Sequence, residues 1–168
     1  MGYKMEVLDV YDVHGNKLNK TTVRGNLELV EGEEFIKIVT VWFRSGIRYL
    51  IQLVSEEKGS VYAVTGGHVP TGSTSREQAK VECKEELGFD LEDSKLTYIG
   101  PVVEKRVIID VYLYEDEDID LEAVEFELQE EEVESVCWLT KDEMEDMILK
   151  GTLRDSTAHQ YMVYIKNM

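Results

Sequence analysis

The stretch GGHVPTGSTSREQAKVECKEELGF, residues 66–89, carries the clearest local pattern in the chain. It follows a run of β-forming residues at 61–64 and opens with two glycines and a polar loop. Thr74 and Glu77 have the spacing of a capping box, in which two side chains satisfy free backbone N–H groups at a helix start. Gly88 is the residue type that commonly follows a helix end. The stretch therefore predicts a strand, a loop and a helix over Ser75–Leu87.

The predicted helix places three glutamates on one face. Glu82, Glu85 and Glu86 fall within about 100° of arc, at positions i, i+3 and i+4. Crowded carboxylates repel each other, a divalent cation removes that repulsion, and carboxylate oxygens suit Mg²⁺ or Mn²⁺. A backbone carbonyl at Gly67 can approach the same ion, because glycine has no Cβ. Beside this face runs an apolar stripe suited to a core, formed by Ala79, Cys83 and Leu87.

These residues resemble the Nudix box, which reads Gly, five residues, Glu, seven residues, Arg-Glu, an aliphatic residue, any residue, Glu-Glu, any residue, Gly and an aliphatic residue. Gly67, Glu82 and Gly88 stand at matching positions, and Glu85 and Glu86 match the acidic pair. The apolar positions are taken by Cys83 and Phe89. A box in this strand–loop–helix context implies the Nudix fold.

Two positions depart from the box. Ser73 stands where the first Glu belongs, and Val81 stands where the Arg belongs. An acid and an arginine in one motif would pair, and losing both together leaves neither charge unpaired. On this interpretation the lost pair was a structural brace for the loop, and every metal-binding carboxylate remains. The alternative is a catalytically silent module that binds a nucleotide or a partner protein, although the retained acid cluster favours activity.

The resemblance implies a metal-dependent hydrolase that cleaves a pyrophosphate bond in a nucleoside diphosphate linked to another moiety. Water attacks phosphorus, charge builds on the phosphoryl oxygens, and Mg²⁺ or Mn²⁺ stabilises that charge. It implies Glu82, Glu85 and Glu86 as catalytic and metal-binding residues, Gly67 as a further ligand, and Glu82 as the first choice of general base. The competing interpretation of these glutamates is a solvated acidic helix face.

Three further residues are candidates for contacting a substrate phosphate: His68, Arg48 and Arg106. Each also has a simpler explanation, as a loop histidine with a local hydrogen bond or as a surface arginine. The N-terminal segment, with its DVYD and following glycine, resembles the Nudix branch related to isopentenyl diphosphate isomerase. Isomerase chemistry is disfavoured, because the reactive cysteine of that branch is missing and no cysteine precedes Cys83.

Composition restricts the possible partners. The 168 residues, 43% of them hydrophobic, suit a single Nudix domain over 1–168, with 1–34 as an N-terminal hairpin or extension and 67–89 as the box. The formal net charge of −17 disfavours nucleic acid and anionic membrane surfaces. No apolar run is long enough to cross a membrane. A small nucleoside diphosphate derivative remains the expected partner, because bound cations reverse the local field.

The expected location is a reducing cytoplasm. Residues 1–6 contain no apolar signal core, and Glu6 breaks the myristoylation pattern. Cys83 and Cys137 sit in apolar patterns, so buried thiols are a better interpretation than a disulfide, although the disulfide stays open.

The remaining elements complete an α/β pattern. Strands are predicted at 5–12, 17–23, 35–43, 49–54, 96–99, 102–114 and 135–139. The strands at 35–43 and 49–54 should pair as a hairpin. Gly100-Pro101 should mark a break or bulge between the strands at 96–99 and 102–114. Helices are predicted over Lys141–Lys150 and from an Asp155 cap onward, with Tyr161, Met162 and Ile165 facing the core. This order predicts an α/β/α sandwich around a mixed β-sheet, as the Nudix resemblance also implies, and a long edge strand at 102–114 would favour a homodimer.

Residues 115–134 hold twelve Asp or Glu and no Lys or Arg. A charge run of this kind is usually a solvated loop or edge. The functional alternative is that an acid from Glu130, Glu131 or Glu132 reaches the metal cluster.

Overall fold

The computed structural model describes residues 5–168. Residues 1–4, part of the segment considered for a signal peptide or acylation, lie outside the described part of the chain. The strands are β1 Val7–Tyr11, β2 Lys17–Val23, β3 Ile36–Ser45, β4 Arg48–Val54, β5 Tyr62–Ala63, β6 Thr65–His68, β7 Leu96–Glu104, β8 Val107–Tyr114 and β9 Val133–Thr140. The helices are α1 Ser75–Leu87, α2 Lys141–Lys150 and α3 Asp155–Gln160, and a π-helical turn, Tyr161–Ile165, continues α3.

Strands β1 and β2 form a two-stranded sheet of their own, and the other seven strands form a mixed sheet that divides into two halves. In one half, β3 pairs in parallel with β8 and antiparallel with β6, and β7 pairs antiparallel with β8. In the other half, β4 pairs antiparallel with β5 and β9. The chain crosses from one half to the other between β5 and β6. The two halves open a cleft between them, which positions the candidate site.

The predicted hairpin of β3 and β4 is only partly correct. Across residues 36–54, the two strands pair at Arg44 with Tyr49 and at Ser45 with Arg48, next to the turn. Beyond those pairs β3 takes β6 as its partner and β4 takes β5 and β9. The β-branched and aromatic composition of these two segments predicted both strands correctly, but it carries no information about which neighbour each one takes.

Helices cover both faces of this sheet, so the predicted α/β/α sandwich is confirmed. Alternate β3 side chains face opposite ways, as the pleat requires. Val39 and Phe43 belong to the core under α1, together with Cys83 and Leu87 of that helix. Trp42 belongs to the opposite core, which is covered by the C-terminal helices through Met144, Tyr161 and Ile165.

The prediction of one strand over 102–114 is wrong. The chain turns at Lys105-Arg106, and β7 and β8 form an antiparallel hairpin on either side of that turn. Arg106 has a positive φ of 70°, a conformation normally signalled by glycine, so no turn residue marked the position. Gly100-Pro101 instead lies inside β7, at the predicted bulge. Strand β8 is internal and β7 forms the edge, so the homodimer stays a prediction without its original support.

The acidic segment is more than a solvated loop. Its apolar residues pack against the core under α1: Leu121, Val124, Phe126 and Leu128. Several of its acids pair with cations from outside the segment, as Asp116 does with Lys95 at 2.6 Å. The segment therefore covers one end of the core, and some of its acids are paired or line the cavity instead of facing open solvent.

Three smaller expectations concern the cysteines, the C-terminal helix and a membrane span. Cys83 and Cys137 are both free thiols, Cys83 being buried. Asp155 begins α3, whereas the cap position belongs to Arg154. Met162 is 49% exposed, because the π-helical turn rotates it away from the core face. No helix formed by residues 5–168 is long and apolar enough to span a bilayer.

Candidate active site

Helix α1 has the predicted capping residues at both of its ends. The Thr74 hydroxyl accepts a hydrogen bond from the Glu77 backbone N–H at 3.1 Å, and the Glu77 carboxylate accepts one from the Thr74 N–H at 3.1 Å. Gly88 ends the helix in the left-handed conformation, with φ 63°. The predicted bounds, Ser75–Leu87, are confirmed.

Two of the three predicted glutamates form a close pair, in which Glu86 is buried and Glu82 is half-buried. The Glu86 side chain is only 7% exposed, and Glu82 lies one turn earlier on the same face. Their carboxyl groups are close enough to interact directly. Each carboxyl also accepts one amide N–H: Gln78 Nε2 donates to Glu82 Oε1 at 2.9 Å, and Gln52 Nε2 donates to Glu86 Oε1 at 2.9 Å. One oxygen of each carboxyl is thereby fixed, and the remaining oxygens are available for a shared proton or cation.

Burial and mutual repulsion make this pair difficult to ionise. Desolvation is the largest cause that raises the pKa of Glu86, to about 9, and the neighbouring Glu82 contributes further. Desolvation also raises the pKa of Glu82, against the lowering effect of its hydrogen bonds. Two carboxyls in one desolvated site cannot both carry charge without compensation. A site of this kind either holds a proton or accepts a cation.

The third glutamate and a distant acid border the same cavity. Glu85 is exposed on α1, and Glu132 of the acidic segment lines the same cavity. The charge of Glu132 is among the causes that raise the pKa of Glu86, after burial and Glu82. The alternative considered for Glu130, Glu131 and Glu132 is therefore consistent with the position of Glu132.

The donor set fits an oxygen-binding divalent cation. No three acidic, histidine or cysteine side chains within residues 5–168 already converge as a complete metal cluster. Mg²⁺ is commonly bound by only one or two carboxylates, with waters and substrate phosphates completing its octahedral shell. Glu82 and Glu86 supply that minimum, and Glu85 borders the same space.

Gly67 leaves room for the Glu82 carboxylate. A Cβ at residue 67 would overlap that carboxylate, so a side chain there would displace it from its position beside Glu86. Gly67 lies in β6, where it pairs with Val39 of β3. The glycine thus makes room for the acid pair, while the use of its carbonyl as a ligand remains a prediction.

The acid pair faces a cavity of about 650 Å³ between the two halves of the sheet. One wall is polar and acidic, formed by α1 and the acidic segment. The opposite wall is largely aliphatic, with Ile38 of β3 and Val107 and Ile109 of β8. A cavity with a charged wall and an apolar wall suits a ligand that carries both a polyanionic and a less polar part.

The structure places the predicted phosphate-binding residues in different regions. His68 lines the cavity, and burial, followed by the charge of Arg24, lowers its pKa to about 4, so its imidazole is neutral near pH 7. Arg48 and Arg106 lie outside the cavity: Arg48 is 3.7 Å from Glu122, and Arg106 donates to the Leu27 carbonyl at 3.1 Å. Among residues 5–168, the cations that border the cavity are Arg24, Lys58 and Arg154.

The two positions that depart from the box have different surroundings. Val81 is 42% exposed and borders the cavity, and the Ser73 N–H donates to the Pro70 carbonyl at 3.2 Å. The loop before α1 is held from outside by β1, since the Thr71 N–H donates to the Val7 carbonyl at 2.9 Å. The N-terminal hairpin therefore supplies a brace to the loop that lacks the Glu–Arg pair.

Sequence reasoning missed Gln52, Gln78, Arg24 and Glu6. A signal existed for Gln52, the one polar residue inside the apolar run YLIQLV, because a polar side chain in a buried strand needs a partner. Gln78 lies one turn before Glu82 on α1, within reach of it. Nothing local connects Glu6 or Arg24 to the box, since both belong to the N-terminal hairpin.

Comparison with known proteins identifies the fold. No protein-family model matches the sequence, and no curated protein matches it significantly. Among solved structures, DR0079 of Deinococcus radiodurans has a TM-score of 0.75 and 19% identity, over 95% of this chain and 99% of its own. A MutT Nudix hydrolase of Burkholderia pseudomallei has a TM-score of 0.59 and 19% identity, over 75% of this chain and 95% of its own.

A third similar structure contains ligands. The bifunctional NMN adenylyltransferase/ADP-ribose pyrophosphatase of Francisella tularensis, complexed with AMP and a manganese ion, has a TM-score of 0.58 and 12% identity. The match covers 79% of this chain and 42% of that one. At such identities the likeness concerns the backbone architecture. Together with the box at residues 67–89, it establishes that this chain has the fold of the Nudix hydrolases.

Proposed function

We propose that this protein is a divalent-metal-dependent hydrolase that cleaves a pyrophosphate bond in a nucleoside diphosphate linked to another moiety. The observation that supports it most is the pair of Glu82, which is half-buried, and Glu86, which is buried, held by two glutamine amides at the wall of a large cavity. An acidic helix face that is merely exposed to solvent would need neither burial nor dedicated hydrogen-bond donors. Perturbed carboxyls grouped in a cleft are typical of functional sites.

The residues of this chain have distinct roles in the proposal. Glu82 and Glu86 would hold Mg²⁺ or Mn²⁺ through the oxygens that the glutamines leave free, and Glu85 would add a carboxylate from the solvent side. Such an ion, when bound, stabilises charge on phosphoryl oxygens and lowers the pKa of a bound water. Glu82 is proposed as the general base, because burial moves its pKa upward toward neutrality, where a base is most effective.

The losses at Ser73 and Val81 do not remove the parts that this chemistry needs. If the Glu–Arg pair of the box acts as a brace for the loop before α1, its loss is offset here, because β1 holds the same loop through Thr71. The silent-module alternative remains the competing proposal, because Val81 leaves an uncharged side chain at the cavity where the box has an arginine.

The deciding experiment measures phosphate or mononucleotide release from a panel of nucleoside diphosphate derivatives, with Mg²⁺, Mn²⁺ or EDTA. We expect metal-dependent release from at least one member, abolished by Glu86→Gln. Glu125→Gln is the matched control, since it removes an equal charge from an exposed glutamate of the acidic segment. Thermal stabilisation by a panel member without any release would support the silent module, and allylic proton exchange without release would support isomerase chemistry.

A further inference from the structure

The N-terminal hairpin brings a pair of opposite charges to the cavity. Glu6 precedes β1 and Arg24 follows β2, at the open end of the hairpin where Val7 pairs with Val23. The Arg24 N–H donates to the Glu6 carbonyl at 2.9 Å, and Arg24 Nη1 lies 3.0 Å from Glu6 Oε2. Their side chains are 50% and 30% exposed, and both line the cavity of the acid pair.

The hairpin is anchored firmly enough to make this placement specific. Leu8 of β1 forms a β-bridge with Pro70 in the loop before α1. Thr71 Oγ1 also donates to Asp9 Oδ1 at 2.8 Å. At the other end of β1, Tyr11 and Phe35 exchange two backbone hydrogen bonds, both of 2.8 Å. These contacts fix Glu6 and Arg24 relative to the box, although they are more than forty residues away along the chain.

Both charges lie close enough to act on the box residues. Arg24 is the second cause, after burial, that lowers the pKa of His68. Glu6 is among the weaker causes that raise the pKa of Glu82, where burial is again the largest. Arg24 lines the same cavity as His68 and the acid pair.

A polyphosphate in this cavity would face a strongly acidic wall. Glu82, Glu85, Glu86 and Glu132 all border it. The cation Lys58 is paired with Glu132, 3.5 Å away, on the side of the acidic segment. A guanidinium suits a phosphate better than an ammonium does, because its planar fork donates two parallel hydrogen bonds.

We propose that Arg24 binds a phosphate of the substrate, and that Glu6 holds the guanidinium in place until the phosphate displaces it. The inference rests on the proposed function, and it assigns to the N-terminal hairpin the substrate contact that the box itself lacks. A half-exposed ion pair is weak enough to exchange partners. The exchange moves one guanidinium from a carboxylate to a phosphate and requires no rearrangement of the backbone.

The test uses methylenediphosphonate, a pyrophosphate analogue that cannot be hydrolysed, titrated calorimetrically into the full chain with Mn²⁺ present. Arg24→Ala should weaken its affinity about tenfold or more, as expected for losing a charge-assisted contact, and Arg24→Lys should restore part of the loss. Glu6→Gln should tighten binding, because the phosphate no longer competes with a carboxylate. Arg48→Ala is the control, an arginine in a surface ion pair outside the cavity.

Separate readouts distinguish this inference from the proposed function. Mn²⁺ affinity measured without the analogue should be the same in Arg24→Ala as in the wild type, and the variant should raise KM more than it lowers kcat. Unchanged analogue affinity in Arg24→Ala, or an equal loss in Arg48→Ala, would overturn the role of Arg24 while leaving the hydrolase proposal intact. A further variant, Arg154→Ala, tests the cation next to α3. If analogue affinity falls in Arg154→Ala but not in Arg24→Ala, the role of Arg24 is overturned and the phosphate is assigned to Arg154. A wild type that binds Mn²⁺ but not the analogue would overturn it as well.

Discussion

At the scale of single residues, Gln52 connects the sheet to the acid pair. Its Oε1 accepts from the Thr65 hydroxyl at 3.0 Å, which orients the amide so that Nε2 donates to Glu86. Gln52 is 4% exposed and Thr65 is 1% exposed, so water does not compete for these bonds. If Glu86 holds the metal as proposed, Gln52 would orient that ligand, and losing such a partner typically weakens metal binding.

Replacing Gln52 by leucine should therefore weaken Mn²⁺ binding. The side chain volume is nearly kept, but Glu86 loses its fixed hydrogen bond, and we expect a loss of about 10-fold to 100-fold in affinity. Thr65→Val, which removes only the hydroxyl that orients the amide, should give a smaller loss in the same direction. Titration followed by the electron paramagnetic resonance of free Mn²⁺ measures both. Wild-type affinity in a folded Gln52→Leu protein would contradict the role given to Gln52.

The raised pKa of Glu86 predicts how stability depends on pH in the metal-free protein. In the unfolded chain this carboxyl titrates near 4.5, whereas burial and Glu82 hold it protonated in the folded protein up to about 9. The folded state thus binds the extra proton between these values. The contribution of Glu86 to the free energy of unfolding is therefore fully present below pH 4.5 and is lost as pH rises toward about 9. The loss is at most about 1.4 kcal/mol per pH unit.

Urea unfolding in EDTA at a series of pH values checks this dependence. We expect the free energy of unfolding of the wild type to fall relative to that of Glu86→Gln as pH rises, because the amide does not titrate. Mn²⁺ affinity should increase over the same interval, since the proton must leave before the cation binds. Parallel stability curves for the two proteins would show that Glu86 is not protonated in the fold.

At the scale of elements, α1 and α2 end in the same way but in different surroundings. Gly88 and Gly151 both adopt the left-handed conformation, with φ 63° and 70°. A Cβ at Gly151 would meet open space, whereas one at Gly88 would lie 2.7 Å from Cβ of Glu127. Glu127 and Gln129 also donate backbone hydrogen bonds to the last turn of α1. The acidic segment thus packs directly on the end of the helix that carries the acid pair.

The two glycines therefore allow a controlled comparison, because they share the left-handed conformation and differ in the contact with Glu127. Gly151→Ala should cost about 1–2 kcal/mol, the penalty of a left-handed non-glycine residue. Gly88→Ala should cost more and should also weaken Mn²⁺ binding, because relieving the contact with Glu127 displaces the turn that contains Glu86. Thermal unfolding and Mn²⁺ titration measure the two effects. Equal destabilisation with unchanged Mn²⁺ affinity in both variants would show that the acidic segment does not position the helix.

At the scale of the whole molecule, the cavity exists because β3 and β4 part after their shared turn. Strand β3 continues with β6 and β8, and β4 continues with β5 and β9. The resulting space is lined by side chains from α1, from the N-terminal hairpin and from the acidic segment. Segments separated by more than a hundred residues therefore contribute to one site.

The sequence by itself determined α1 and the composition of its acidic face. The capping box, the terminal Gly88 and the spacing of Glu82 and Glu86 all act within about four residues, and interactions at that range are set by helix geometry alone. Most β-strands were likewise predicted from local features, namely β-branched and aromatic composition between turn residues. The turn at Lys105-Arg106 was missed because its left-handed residue is an arginine, held there by the surrounding sheet.

Only the tertiary structure decided which side chains meet the acid pair. Gln52 reaches Glu86 across 34 positions of sequence, and Arg24 reaches the box through a hairpin that docks on its loop. It also decided that Arg48 and Arg106 face away from the cavity. Long-range partners depend on strand order and on where the sheet divides, and no local pattern encodes either. The chemistry of α1 is thus local, whereas its hydrogen-bond donors, its cavity and its neighbouring cations are products of the fold.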